Sequence, residues 1–78
     1  MADLSFTAHA LDQMHARRIP AAAVYYVVEY ADAVLDRDDG CTEYTGAWEG
    51  RTFLIVACGG EQPYRVRTVI ETARRPRR

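Results

Sequence analysis

The chain has no lysine at all: its ten basic residues, in 78, are all arginine. Cysteine and proline are also scarce, at two and three. Each shortage excludes something. Two thiols, Cys41 and Cys58, are too few for the disulfide framework of a small secreted domain, and a zinc site would need further ligands. They read as strand thiols held reduced, with a redox-dependent bridge left open should their strands face each other. As nucleophiles they lack support, because no cationic residue stands near either one in the sequence. No run approaches the roughly 20 apolar residues of a membrane span, and the first residues lack the charged-then-apolar pattern of a secretory signal. A cytoplasmic location is the expectation. There is no phosphate-binding glycine loop or nucleotide fingerprint, Gly59-Gly60 reading as an ordinary turn.

What is present fits a globular chain: 49% of residues are apolar and 27% charged, which excludes an intrinsically disordered composition. The expected organisation is one domain over residues 1–78, with a core at 5–73 and a mobile basic tail at 74–78. A domain of this size buries only about 60–65% of its unfolded surface, so self-association would help it. The net charge of −1 conceals an asymmetry. Residues 1–63 carry four arginines against ten acids, a balance of −6; residues 64–78 carry six against one, a balance of +5. Arginine presents a planar fork suited to phosphate, so the basic end is a candidate RNA contact; the plainer alternative is a solvated tail or one paired with acids.

Thr7, or alternatively Ser5, caps a helix from Ala8 to about Arg17 or Arg18, with Ala10, Leu11 and Met14 on its buried face. Pro20 suits the start of a second helix reaching Tyr30 or Ala31, with Val24, Val27, Val28 and Ala31 as its core stripe. Tyr26 and Tyr30, four apart, form an aromatic pair off that stripe, to be covered by the first helix or by another subunit. Ala33–Arg37 is a short strand, Asp38-Asp39-Gly40 a turn, and Cys41–Trp48 an alternating strand with Tyr44, Gly46 and Trp48 on one face. Glu49-Gly50 closes a tight hairpin onto the apolar strand Arg51–Cys58, and Gly59–Pro63 leads to a last strand, Tyr64–Thr72. There the alternation sets Val66, Thr68, Ile70 and Thr72 on one face and Arg65, Arg67, Val69 and Glu71 on the other. The expected fold class is α+β: two N-terminal helices packed on an antiparallel three- to four-stranded meander, in two layers.

The pattern Phe6-Thr7-x-His9-Ala10-x-x-x-Met14-x-x-Arg17-x-Ile19 resembles the opening of a family of small bacterial proteins of unassigned function. That family is grouped with the barnase, EndoU, colicin and RelE-like ribonuclease toxins, the BECR fold. The resemblance continues through Tyr44-x-Gly46, Gly50-Arg51 and Val66-x-Thr68 and spans roughly residues 5–72. Two positions depart from it. Arg18 stands where the family usually has the glycine of a left-handed helix cap, and Pro20 replaces the small polar residue that opens the second helix.

The resemblance implies a metal-independent endoribonuclease of the toxin type, with no cofactor. In such a reaction the RNA 2′-OH attacks its own phosphodiester, and the protein supplies a proton acceptor, a proton donor and positive charge for the phosphorane. His9 and Arg17 are the catalytic positions carried over from the pattern. Strand patterning adds Thr68 as a third catalytic candidate, with Arg65 and Arg67 as phosphate contacts; Arg51 and Tyr44 are further RNA-binding candidates. Each also has an ordinary task open to it: His9 fixing packing, Arg17 capping its own helix, Thr68 as a strand former. A metal reading of His9, Asp12 and His15 is set aside, since they fan over about 120° of the helix. The partners so implied are RNA and an antitoxin-like protein, with neither membrane nor DNA. The alternative is a non-catalytic protein- or RNA-binding module of the same fold, forming a homodimer through Tyr26 and Tyr30.

Overall fold

The computed structural model describes residues 3–72; the basic tail expected at 74–78 lies outside them. Helix α1 (Ala8–Arg17) starts where its cap predicts: the Thr7 hydroxyl oxygen accepts the Ala10 N–H at 3.1 Å. Ala10 and Met14 are buried, but Leu11, expected beside them, is 50% exposed. The helix lies along the last strand at the margin of the sheet, where only a narrow stripe is covered. Its end is a left-handed Arg18 (φ 55°, ψ 51°), which lets the Ile19 N–H reach back to the Met14 carbonyl at 2.8 Å and buries the Ile19 side chain. The cap that the arginine put in question thus forms in its usual geometry, with a Cβ in a region L-residues enter at a cost of about 1–2 kcal/mol.

Helix α2 (Ala21–Glu29) begins one residue later than expected, Pro20 taking the N-cap in an extended conformation and Tyr30 the C-cap. Ala23, Val24 and Val27 are fully buried and Val28 is half-buried. No helix among the described residues is long and apolar enough to cross a membrane.

The strands are β1 (Leu4–Phe6), β2 (Ala33–Asp36), β3 (Cys41–Trp48), β4 (Arg51–Cys58) and β5 (Tyr64–Glu71), arranged β1-β5-β4-β3-β2. From β2 to β5 this is the expected antiparallel meander. The sheet as a whole is nonetheless five-stranded and mixed, because β1 runs parallel to β5, with Ser5 opposite Arg65 and Phe6 opposite Val66. Three residues directly before a helix cap are too few to show an alternation, which is why a three- to four-stranded sheet was expected. The β3–β4 turn is made by Glu49 (φ 49°) and Gly50 (φ 80°), the two positive φ values that a two-residue hairpin demands.

The core joins Phe53, Ile55 and Ala57 of β4 and Val66 and Val69 of β5 to Ala10, Met14, Ala23, Val24 and Val27 of the helices. Tyr44, Gly46 and Trp48 share the helix-facing side of β3, as their spacing predicts. A Cβ on Gly46 would stand 3.4 Å from Val27 Cγ1 and 3.5 Å from Ala31 Cα, in van der Waals contact, so α2 and the residue after its cap pack directly on this point of β3.

The expected faces of β5 need correction. Val56 pairs with Thr68 and Ala57 with Val66, so Arg67 is an extra residue, a β-bulge. Val66 and Val69 therefore both reach the core, while Arg65, Arg67, Thr68 and Ile70 share the opposite, open face. The reading of Cys41 and Cys58 as separate reduced thiols also needs correction: the two are directly paired across β3 and β4 and joined in a disulfide.

Replacing Arg18 with glycine removes the left-handed Cβ while keeping both backbone bonds. Arg18→Gly should raise stability by about 0.5–1 kcal/mol, net of the greater freedom of glycine in the unfolded chain. Urea unfolding of the two proteins checks it, and a loss of stability would show that the side chain itself holds the cap.

Candidate functional site

Past Phe6 there is no strand beside β5, and α1 takes over that edge. The Gln13 side-chain carbonyl accepts the Val69 N–H at 2.9 Å, substituting for a neighbouring strand. A small cleft of about 180 Å³ opens there, lined by Gln13, Ala16 and Arg17 from the helix and Val69, Ile70 and Glu71 from the strand. His9 lies one turn before Gln13 and Arg17 one turn after, so the three form a single stripe. His9 is exposed and makes no hydrogen bond or ion pair among the described residues; the same is true of the Arg17 guanidinium, although the Arg17 carbonyl is used. Eight residues at 1.5 Å rise separate them by about 12 Å along the helix axis, wider than a single phosphate group. Among the described residues no hydrogen bond or ion pair joins the His9 ring to an acid or base.

Arg51, expected to contact RNA, has a structural task. Its Nε and Nη2 donate to the two carboxylate oxygens of Glu71 at 3.1 and 2.8 Å. Nη1 and Nη2 also donate to the carbonyls of Arg18 and Arg17 at 3.2 and 3.0 Å. The guanidinium further lies over the Phe53 ring, 5.1 Å from its centroid. One side chain thus ties the starts and ends of two strands to the orphan carbonyls of α1. The bond to Glu71 raises its pKa above the ordinary arginine value.

Tyr44 is half-buried and packs against the core on the helix-facing side of the sheet. Burial is the main cause of a raised phenol pKa, with Tyr64 and Asp36 adding to it and the Thr42 hydroxyl working against it. It is a neutral donor near pH 7, and a poor proton acceptor.

The bulge gathers Arg65, Arg67 and Thr68 on the open face, where alternation alone had parted Thr68 from the arginines. Arg67 turns inward over the disulfide, its Nη1 3.5 Å from Cys41 Sγ and 3.8 Å from Cys58 Sγ. The cationic neighbour that the cysteines lack in sequence comes from β5, and only strand register could have revealed it.

On α2 the tyrosines divide. Tyr25 turns inward, edge-on to Phe6 at 6.2 Å between centroids. Tyr26 and Tyr30 remain 45% and 65% exposed, with ring centroids 4.9 Å apart. With Ala22, Tyr25 and Glu29 they line an open groove of about 510 Å³. The first helix does not cover them.

Most of the residues that carry the resemblance therefore serve the fold. Thr7 caps, Ala10, Met14, Ile19, Gly46 and Val66 are buried, Gly50 turns and Arg51 clamps. His9, the Arg17 guanidinium and the Thr68 side chain have no partner among the described residues. No group of three or more His, Cys, Asp or Glu among the described residues is placed to hold a metal ion. No protein-family model matches the chain, and neither a curated protein nor a solved structure matches it.

Arg51→Ala should lower the thermal unfolding midpoint, whereas Arg17→Ala leaves it nearly unchanged; equal midpoints for the two variants would remove the clamp. The Tyr44 phenol holds its proton more tightly folded than unfolded. Its contribution is therefore fully present below the unfolded value of 10.0 and is lost as pH rises through the higher folded value. Urea unfolding at pH 9, 10 and 11 should show a shallower alkaline decline for Tyr44→Phe than for the wild type.

Proposed function

We propose that the chain is a non-catalytic interaction module that pairs with a second copy of itself through α2. The observation carrying this reading is the exposed Tyr26–Tyr30 pair, its rings tilted against each other beside the groove. Large aromatic surface left on a domain this small is a contact surface by its physical character. The groove is lined by the Tyr26 and Tyr30 rings, which two copies related by a twofold axis present to each other. The open face then presents Arg65 and Arg67 to a phosphate-bearing partner, RNA first among them.

A second reading, the metal-independent endoribonuclease restrained by an antitoxin-like protein, is favoured by one specific observation. Of the patterned residues, His9, Arg17 and Thr68 are the ones whose side chains the fold leaves unengaged. Two things weigh against it: the 12 Å or so between His9 and Arg17 along the helix, and the acidic balance of residues 1–63.

Light scattering separates the two from one side. Wild-type protein should be dimeric and the Tyr26→Glu, Tyr30→Glu variant monomeric; a monomeric wild type at high concentration would end the self-association reading. Incubation with total bacterial RNA in EDTA separates them from the other. The interaction module leaves RNA intact. Fragments ending in 2′,3′-cyclic phosphate, lost in His9→Ala while its melting temperature holds, would establish the endoribonuclease instead.

A further inference from the structure

We propose that the Cys41–Cys58 pair is a thiol–disulfide exchange site for small thiols, attacked at Cys58 and assisted by Arg67. The two sulfurs differ in access: Cys41 is buried, at 3% exposure, whereas Cys58 is partly exposed beside the exposed Gly59-Gly60 turn. The Arg67 guanidinium reaches both sulfurs, 3.5 Å from Cys41 Sγ and 3.8 Å from Cys58 Sγ, so it stands where a thiolate leaving on Cys41 would form.

The difference in access gives the exchange a direction. An incoming thiolate, of the glutathione class, reaches Cys58 Sγ. Its sulfur bonds to Cys58 as the Cys58–Cys41 bond breaks, and the electron pair leaves on Cys41 Sγ as a thiolate. That charge develops against Arg67, and a leaving thiol of lowered pKa departs faster. A second thiolate then attacks the outer sulfur of the mixed disulfide. It releases the oxidised small-thiol disulfide and leaves Cys58 as a thiolate. Two small thiols have supplied two electrons and two protons, and the protein has become a dithiol.

Other charged groups face this site. Arg65 stands directly across from Cys58. Glu43 lies two residues along β3 on the same face, and the Asp39 carboxylate accepts the Cys41 N–H. Arg37 pairs with both of these acids, at 3.1 Å to Asp39 and 3.7 Å to Glu43. The acids are therefore already met by a cation, and Arg67 is the charge in contact with sulfur. The site does not depend on self-association through α2, and Arg67 is the one residue of its mechanism that it shares with the phosphate-contact reading.

The test treats air-oxidised, full-length protein with reduced glutathione, traps free thiols with iodoacetamide and maps both adducts by mass spectrometry. Glutathione should be found on Cys58 and the alkyl group on Cys41. Arg67→Ala and Arg67→Gln should each slow the exchange about threefold to fivefold, with Arg67→Lys restoring most of the rate. In the fully reduced protein, alkylation of Cys41 should shift to higher pH in the Ala and Gln variants. The proposal is overturned by glutathione on Cys41, by Ala and Gln variants with wild-type rates and pH profiles, or by two free thiols in the air-oxidised protein.

Discussion

Everything in this fold leans on the burial of β4. Phe53 and Ile55 are wholly excluded from water, and both helices reach that layer through small or β-branched residues. Ala10, Ala23, Val24 and Val27 let the helix backbones come close, so a chain with little surface to bury still assembles one continuous apolar layer. Packing is equally close at the β3 neighbour, where a Cβ on Gly46 would already touch Val27 and the backbone just past α2. Arg51 completes the arrangement at the one place where apolar contact gives out. It closes the helix end whose carbonyls would otherwise lack partners, and holds the far end of β5 through Glu71.

The sequence made the local elements legible wherever a residue's chemistry acts over a few positions. Thr7 as a cap, Glu49-Gly50 as a hairpin and the alternation of Tyr44, Gly46 and Trp48 are all such cases. Features set by distant partners were hidden. β1 is a strand only because β5 lies beside it, and its three residues carry no period of their own. The bulge at Arg67 is an event of register: a single extra residue turns the rest of the strand over, so alternation read straight through β5 misplaces Thr68 and Ile70. Leu11 is apolar in a stripe wider than the sheet margin can cover.

The same division runs through the candidate site. His9 and Arg17 stand out in sequence by chemical type, and the structure leaves both side chains unengaged on one stripe of α1. Arg51 stands out equally by type, yet its fork is absorbed by Glu71 and the helix carbonyls, partners 20 and 33 residues away. Residue type alone does not separate a phosphate-binding arginine from a structural one, because the same planar donors serve both. The inward turn of Arg67 toward the two sulfurs lay wholly beyond reach, since it needs three strands in register.

The parallel pairing of β1 with β5 joins Leu4 to Tyr64 and Phe6 to Val66, nearly the whole described chain apart. During synthesis the β3–β4 hairpin has all its residues before β5 is made, whereas β1 has no partner until Tyr64–Val66 have emerged. Until then the orphan edge of β1 and the cap-proximal end of α1 must wait without their sheet contacts. At this edge, therefore, the earlier-made β1 is fixed only after the later-made hairpin can already have closed.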